Sequence, residues 1–554
     1  VKEMLAQTTL PPYYQMANDY HSRINDDDTI SPWEHFFNLN EWDTVLKFIA
    51  GGVKVEAFQY QEGFARRYFH SQVDDKVDCY HLALPAGYDP NRKYPLFLSL
   101  ALGRLSTASS LQGQYADQPI IAADLSGRGR TLGSYVAEAS IWELMEQIRS
   151  QYAIDEDQIY LSGASSGGAG TWTQAQLYPQ EFAGIYPISG AVDPGKACNL
   201  SNMRVITASS DGDNLYPQSY ARIHRKLRRY GHFTGVLPKS MDHSGVLKLI
   251  HKKALMDEML QVKRDPYPNK VEYVTDKNRH RKAYWVELHA IKFGKKQAKV
   301  KAEIIGQTID IHCRNLTGLT ITLPPQIDKK HFRILINKKK ELWFHHYSKE
   351  QVVLTKQNRR WALSDAPSQP RALSRKGTGL LDVYLKPLRI ISGGGHLLDQ
   401  VADAFAHPSC NGEDSNIYVD YPVFHVDGVP EEVRTCSQVV IDRNLAHPFL
   451  QEIRGQCPID TGVSGFRYQG TFYAGSYCVM QVIANPECPD CSILYINCND
   501  ETLFSKNLFT RKVVIPSYTY GLHPYWNNEA LIFWQGGYFS VYEWGMDLSK
   551  VTNP

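Results

Sequence analysis

The sequence predicts a multidomain chain of the α/β class. A mostly parallel sheet with helices on both faces should come first, then a small β-sandwich, then a mixed C-terminal module. Two patterns carry this expectation. Before residue 265, short apolar strands alternate with amphipathic helical segments, as in a parallel sheet covered on both sides. After it, charge and period both change. Between Lys263 and Arg360 there are 23 Lys/Arg against 9 Asp/Glu, an excess of 14 in a chain whose net charge is only +2. At about 150 residues per domain, 554 residues also imply three to four domains. The expected division is an N-terminal extension over 1–54, the α/β unit over 55–264, the sandwich over 265–392, and a mixed α/β or β-rich unit over 393–554.

The elements of the first unit can be taken in order. Pro95 to Leu100 reads as a buried strand. Ile141, Leu144, Met145 and Ile148 recur at helical spacing. A strand over Gln158 to Leu161 precedes a helix over Gly170 to Leu177, and further strands lie over Gly184 to Ile188 and Arg204 to Ala208. Ile223, Leu227 and Tyr230 line a helix face that stops at Gly231, and Phe233 to Leu237 is the next strand. Asp265-Pro266-Tyr267-Pro268 reads as a linker. Beyond it Leu319, Ile321 and Leu323 alternate with threonines, and Phe332, Ile334 and Ile336 repeat the pattern, so an antiparallel sandwich is expected. The glycine run after Ile391 and Ser392 reads as its downstream edge. There is no internal repeat and no low-complexity tract.

Composition narrows the function classes. Hydrophobic residues are 43% and charged residues 21%, ordinary globular usage. No apolar run approaches the roughly 18 residues of a membrane helix, so no membrane association is expected. The near-zero net charge gives no global field for nucleic acid. Lys292, Lys295, Lys296, Lys299, Lys301 and Lys338-Lys339-Lys340 form a basic cluster, read either as a solvated face or as a polyanion surface. Ten cysteines permit disulfides. Asn199-Leu200-Ser201 and Asn315-Leu316-Thr317 fit the glycosylation pattern. The sequence opens without a basic-then-apolar leader, and a mature secreted or periplasmic chain is expected, with a cytoplasmic location as the alternative.

The sharpest chemical feature is Gly163-Ala164-Ser165-Ser166-Gly167-Gly168, between an expected strand and an expected helix. A GxSxG turn in that setting is a nucleophile elbow. It is too tight for large flanking residues, and it lifts the Ser165 hydroxyl out at the strand's carboxyl end. The N–H of Ser166 then faces a developing oxyanion. A serine hydroxyl needs a base, and the base an orienting acid, in the chain order serine, acid, histidine. Asp211-Gly212-Asp213 comes after the strand ending at Ala208, where the acid belongs. Asp213, four residues before Pro217, is preferred, with Asp211 as runner-up in a loop or capping role. His243, in Met241-Asp242-His243-Ser244-Gly245, comes a short loop after the next strand and is the expected base.

From about Arg67 to Leu260 these residues resemble the α/β-hydrolase superfamily, and within it the prolyl-oligopeptidase-like and polysaccharide-esterase branch. Arg67-Tyr68 and Tyr80-His81-Leu82-Ala83-Leu84-Pro85-Ala86-Gly87-Tyr88-Asp89-Pro90 are similar to its opening strands. Ile154-Asp155-Glu156-Asp157-Gln158-Ile159-Tyr160-Leu161 is similar to its lead into the elbow, and Tyr178-Pro179-Gln180-Glu181-Phe182-Ala183-Gly184 to its segment past the elbow helix. The resemblance implies Ser165 as nucleophile, Asp213 as acid and His243 as base. It departs at one place. The family's His-Gly pair, which supplies the second oxyanion N–H, is replaced by Leu100-Ala101-Leu102-Gly103-Arg104. A backbone donor needs no particular side chain, so Leu102, or Gly103 beside it, is expected in that role. Arg281-Lys282-Ala283-Tyr284-Trp285-Val286 and Gly521-Leu522-His523-Pro524-Tyr525-Trp526-Asn527-Asn528 resemble the carboxyl-terminal extension of large bacterial hydrolases.

The expected function is a serine hydrolase that cleaves a carboxylic ester through an acyl-enzyme, with polysaccharide-linked acyl groups as a candidate substrate. A prolyl-oligopeptidase-like peptidase would use the same residues. The roughly 65 residues ahead of the core are too few for that group's β-propeller, which favours the esterase. A carbohydrate- or polyanion-binding protein with a retired hydrolase core is the non-enzymatic alternative. No cofactor is expected. Cys488-Pro489-Asp490-Cys491 is a single close pair, where structural zinc wants two, so disulfides or structural thiols are expected instead. Catalysis should therefore need no metal. Activity should survive a chelator, and a loss restored by a divalent ion would contradict this.

Overall fold

The computed structural model describes residues 63–541, apart from segments within that span, the longest at 102–117, 368–379, 407–418 and 504–529. The expected N-terminal extension, Leu102 and Gly103, Lys292, Lys295 and Lys296, and Gly521 to Asn528 lie outside the described residues.

The first unit is built on β1 (Gly63–Ser71), β2 (Lys76–Leu84), β3 (Tyr94–Leu100), β4 (Ile121–Leu125), β5 (Ile154–Ala164), β6 (Gly184–Ile188), β7 (Arg204–Ala208) and β8 (Phe233–Val236). They form one sheet in the order β1-β2-β4-β3-β5-β6-β7-β8. β2 is antiparallel to both β1 and β4, and all other neighbours run parallel. This is the α/β-hydrolase strand order, with a serine turn between β5 and the helix after it. Its helices are α1 (Val136–Gln151), α2 (Ser166–Leu177), α3 (Pro217–Leu227), α4 (His243–Leu247) and α5 (Lys253–Leu260).

Both faces of the sheet are covered. Leu96, Leu98 and Leu100 of β3 point to one side, against Ile141, Leu144, Met145 and Ile148 of α1, Trp172 of α2 and Ile223 of α3. Phe97 points to the other, with Val246 of α4 and Met259 of α5. Two-sided burial is why these strands read as continuous apolar runs. Each large apolar side chain so buried contributes about 1.5–3 kcal/mol, enough for the apolar stripe of α1 to set how that helix docks.

The basic region holds β9 (Lys270–Thr275), β10 (Lys282–Ala283), β11 (Val286–Ile291), β12 (Ala298–Ile305), β13 (Thr308–Arg314), β14 (Leu316–Thr322), β15 (His331–Ile336), β16 (Lys340–His345), β17 (Gln351–Gln357) and β18 (Arg360–Leu363). They make two five-stranded sheets, β10-β11-β14-β17-β18 and β16-β15-β13-β12-β9, around one hydrophobic core. The pairing is not purely antiparallel as expected. β13 and β15 run parallel, because the chain leaves their sheet for β14 in the other sheet and returns in the same direction.

The remaining strands are β19 (Leu388–Ser392), β20 (Val423–His425), β21 (Ser437–Asp442), β22 (Asp460–Gly462), β23 (Gly465–Tyr468), β24 (Thr471–Ala474), β25 (Tyr477–Ala484), β26 (Ser492–Cys498), β27 (Ala530–Trp534) and β28 (Gly537–Val541). Seven of them form a mixed sheet, β20-β19-β21-β26-β25-β27-β28. The expected boundary at 392/393 is corrected here. β19 belongs to this mixed sheet, and Leu380, Val383 and Leu388 lie in its core, so the break falls before Leu380. The glycine run is a strand-to-helix turn inside this unit rather than its edge: Gly394 and Gly395 have φ of 89° and 95°, and the helix His396–Ala406 comes next. Cys488 and Cys491 form a disulfide in the β25–β26 hairpin. Cys478 and Cys498 face each other across the same hairpin as buried thiols. Among the described residues, no helix is long and apolar enough to cross a membrane.

Buried polar contacts join the units. The Leu388 N–H donates to Val73 O (3.1 Å), tying β19 to the β1–β2 turn. Beside that turn Arg128 is buried between Asp74 (2.7 Å) and Asp78 (2.9 Å). Asn199 is 2% exposed; its side-chain amide donates to Gln176 O (2.7 Å) and Val274 O (2.9 Å) and accepts from Val274 N–H. Its glycosylation tripeptide is therefore a structural joint, since both amide hydrogens are committed inside the protein. Glu138 of α1 meets His280 (2.6 Å), receives the Tyr178 hydroxyl (2.6 Å) and pairs with Arg279 (3.5 Å).

Burial alone would raise the Glu138 pKa. His280 and Arg279, with hydrogen bonds from His280 and Tyr178, overcome it and hold the carboxyl well below its ordinary value. A depressed folded-state pKa means a stability contribution that is complete above the unfolded value near about 4.3 and lost as pH falls towards the folded one. Glu138→Ala should therefore destabilise the protein by about 3–5 kcal/mol at pH 7, because it strands the buried partners. The gap to the unsubstituted protein should narrow below about pH 4. Denaturant melts at both pH values check this.

Candidate active site

The elbow is set by close backbone packing. Ser165 lies between β5 and α2 with φ 55° and ψ −117°, a conformation that costs a non-glycine residue about 1–3 kcal/mol unless its surroundings impose it. They do: the Ser165 N–H donates to Ile188 O at the end of β6 (2.9 Å), and its carbonyl accepts from Ala169 N–H (3.0 Å). A Cβ on Gly167 would lie 1.9 Å from Leu100 O, and one on Gly163 2.4 Å from Gly167 O. Only glycine fits at either place. α2 begins at Ser166, so the positive end of its dipole sits beside the Ser165 side chain.

Two loops supply the partners. Asp213 lies just past β7 and is fully buried. His243 opens α4, and its side chain is 18% exposed. His243 Nε2 lies 2.9 Å from Ser165 Oγ, and Nδ1 lies 3.0 Å from Asp213 Oδ2. An ionised carboxylate only accepts, so Nδ1 carries the proton and Nε2 is left to accept from the serine hydroxyl. The structure thus brings Ser165, His243 and Asp213 into one hydrogen-bonded chain. Asp211, the runner-up, is elsewhere: its exposed carboxylate accepts from Ser240 N–H (2.7 Å) and ties the aspartate loop to the histidine loop. Ser166 stands at the expected end of α2, and Leu102 lies outside the described residues.

Two residues at the site carry no motif that marks them in the sequence. Ser210 Oγ accepts from both Gly212 N–H (3.2 Å) and Met241 N–H (2.9 Å), clamping the loops together. Ser189 places its hydroxyl on Asp213 Oδ2 and 2.9 Å from His243 Nδ1. The signal that could have found it is its position one residue past a strand that neighbours the elbow strand. This arrangement is able to move a proton from Ser165 to His243 while Asp213 steadies the resulting charge, which is what nucleophilic attack by serine needs.

No family model matches the chain. A 100-residue stretch is 31% identical to poly(3-hydroxyalkanoate) depolymerase C of Paucimonas lemoignei, covering 18% of this chain and 23% of that protein. The chain thus spans less than a quarter of that relative's length. Similar solved structures include a thermostable esterase, with 19% identity over 36% of this chain and 63% of the other and a TM-score of 0.32. A ferulic acid esterase has 14% identity, 36% and 98% coverage and a TM-score of 0.30. A Bacteroides ovatus protein named as a dipeptidyl aminopeptidase IV has 16% identity, 36% coverage of each chain and a TM-score of 0.31.

The two aspartates should separate cleanly. Asp213→Asn should slow covalent labelling of Ser165 by a fluorophosphonate by roughly 10⁴-fold, because an amide no longer selects the right imidazole tautomer. Asp211→Asn keeps an acceptor for Ser240 N–H and should change the rate by less than about 10-fold. The reverse ranking would exchange their roles.

Proposed function

We propose, for a chain with the α/β-hydrolase strand order, a serine hydrolase that cleaves a carboxylic ester through an acyl-enzyme. The hydrogen-bonded chain Ser165–His243–Asp213 is the observation that carries it. Ser165 Oγ attacks the ester carbonyl as His243 Nε2 takes its proton. The carbonyl oxygen becomes a tetrahedral oxyanion, stabilised by the N–H of Ser166 at the start of α2 and by that of Leu102 as second donor. His243 returns the proton to the leaving alcohol as the C–O bond breaks. Water then attacks the acyl-enzyme with His243 as base, releasing the carboxylic acid and restoring Ser165. Asp213 holds the imidazole tautomer throughout and stays ionised.

The substrate class rests on the resemblance of the sequence to the polysaccharide-esterase branch. Acyl groups carried on polysaccharide are the proposed natural esters, and the depolymerase relative, named for a polyester, supports an ester over a peptide. A polymeric substrate also favours a secreted or periplasmic location. Residues 55–264 would be the catalytic unit, with residues 1–54 an extension to it. The two units after residue 265 would scaffold the site or position substrate without chemistry of their own. Lys338 and Lys339 in the β15–β16 turn and Lys340 at the start of β16, all exposed, remain a solvated face in this reading.

A panel of aryl acetates, hydroxycinnamoyl esters and peptide anilides tests it. Turnover of esters, with fluorophosphonate labelling abolished by Ser165→Ala, is the expected result. Turnover of anilides alone would make the protein a peptidase. Absence of both labelling and turnover would favour a retired core that binds carbohydrate or polyanion.

A further inference from the structure

We propose that Ser189 is a positioning residue that holds the Asp213 carboxylate and the His243 ring in register; the role rests on the serine hydrolase reading above. Its hydroxyl touches both groups at once, on Asp213 Oδ2 and 2.9 Å from His243 Nδ1. The chemistry of the three groups dictates the directions. Asp213 can only accept, so Ser189 gives its single O–H to Oδ2. Nδ1–H of His243 points at the same oxygen, and a lone pair of Ser189 Oγ lies alongside it. The three polar atoms therefore form a closed triangle in which rotating any one side chain breaks two contacts.

Ser189 is built to stay there. It is 0% exposed and has φ 42°, a left-handed conformation uncommon for a residue with a side chain. The backbone around it accounts for that conformation. Its own N–H donates to Ala208 O at the end of β7 (3.0 Å), and the preceding Ile188 O accepts from the elbow's Ser165 N–H (2.9 Å). The next residue is pressed against the elbow helix: a Cβ on Gly190 would lie 2.1 Å from Ala169 N and 2.7 Å from Ser165 O. One short segment thus fixes the nucleophile by its main chain and the acid by its side chain. Asp213 sits on a loop of its own, and the imidazole it holds changes charge during turnover. Without Ser189 the carboxylate would keep its burial but lose a donor that stays neutral throughout the reaction.

The test compares Ser189→Ala and Ser189→Gly with the unsubstituted protein on p-nitrophenyl acetate. Both remove the hydroxyl, but glycine suits φ 42° better than alanine, so backbone comfort and hydroxyl loss are separated. Both variants should lose roughly 10- to 100-fold in kcat, as expected for a hydrogen bond to a charged group, with KM changed by less than about 3-fold. Fluorophosphonate should still label Ser165 to completion, only more slowly. In an Asp213→Asn background the same substitutions should cost less than about 3-fold, because Ser189 acts through that carboxylate. Either variant retaining kcat within about 2-fold, or a full additional loss in the Asp213→Asn background, overturns the role of Ser189 and leaves the hydrolase reading standing. If the unsubstituted protein neither hydrolyses the ester nor labels, the hydrolase reading fails and takes this role with it.

Discussion

The structure depends on a main-chain convergence where β3, β5 and β6 end together. Gly167 of the elbow helix approaches the Leu100 carbonyl so closely that no Cβ fits between them, and Ser165 N–H is anchored on the Ile188 carbonyl. Those contacts impose the uncommon dihedrals of Ser165. They also set the start of α2, and therefore where its dipole points. A buried backbone group that lost its partner here would cost free energy with no water to replace it, so the arrangement is rigid by necessity. Everything else at the site is placed relative to that junction.

The two loops that complete the site are held to each other rather than to the sheet alone. Ser210 binds main-chain donors from both, and Asp211 spans from one to the other. A carboxylate two residues from Asp213 is thus occupied in structure while Asp213 faces the histidine. The neighbouring aspartates differ in role because they differ in burial and partners, although their local sequence is nearly symmetric about Gly212.

The units beyond residue 265 are joined to the first by polar groups buried at the junctions. Asn199 bonds β9 through both its amide and its carbonyl, and Glu138 of α1 receives His280 and Tyr178 together. Such groups are costly to bury alone and stable only when all partners are present, so they make docking specific as well as strong. Glu138, in the first turn of α1, reaches across to the next unit instead of into water.

The strand-helix alternation, the elbow and the serine-aspartate-histidine order were legible in the sequence because each is local: apolar period, glycine spacing around Ser165, and distance past a strand. The same locality read the glycine run after Ser392 as a domain edge and Asn199 as the first residue of a glycosylation tripeptide, since a tight turn shares its composition with a domain boundary and a tripeptide carries no information about burial. The parallel pairing of β13 with β15, the assignment of Asp211 to the loop junction and the contact of Ser189 with Asp213 were decided only in three dimensions. Each depends on which distant segments meet, across 24 residues for Ser189 and Asp213 and 29 for Asp211 and Ser240. Local pattern determines which residues can form a strand, a turn or a nucleophile. Which carboxylate meets the imidazole is settled by how strand ends converge, because hydrogen bonds of about 3 Å tolerate no error in that convergence.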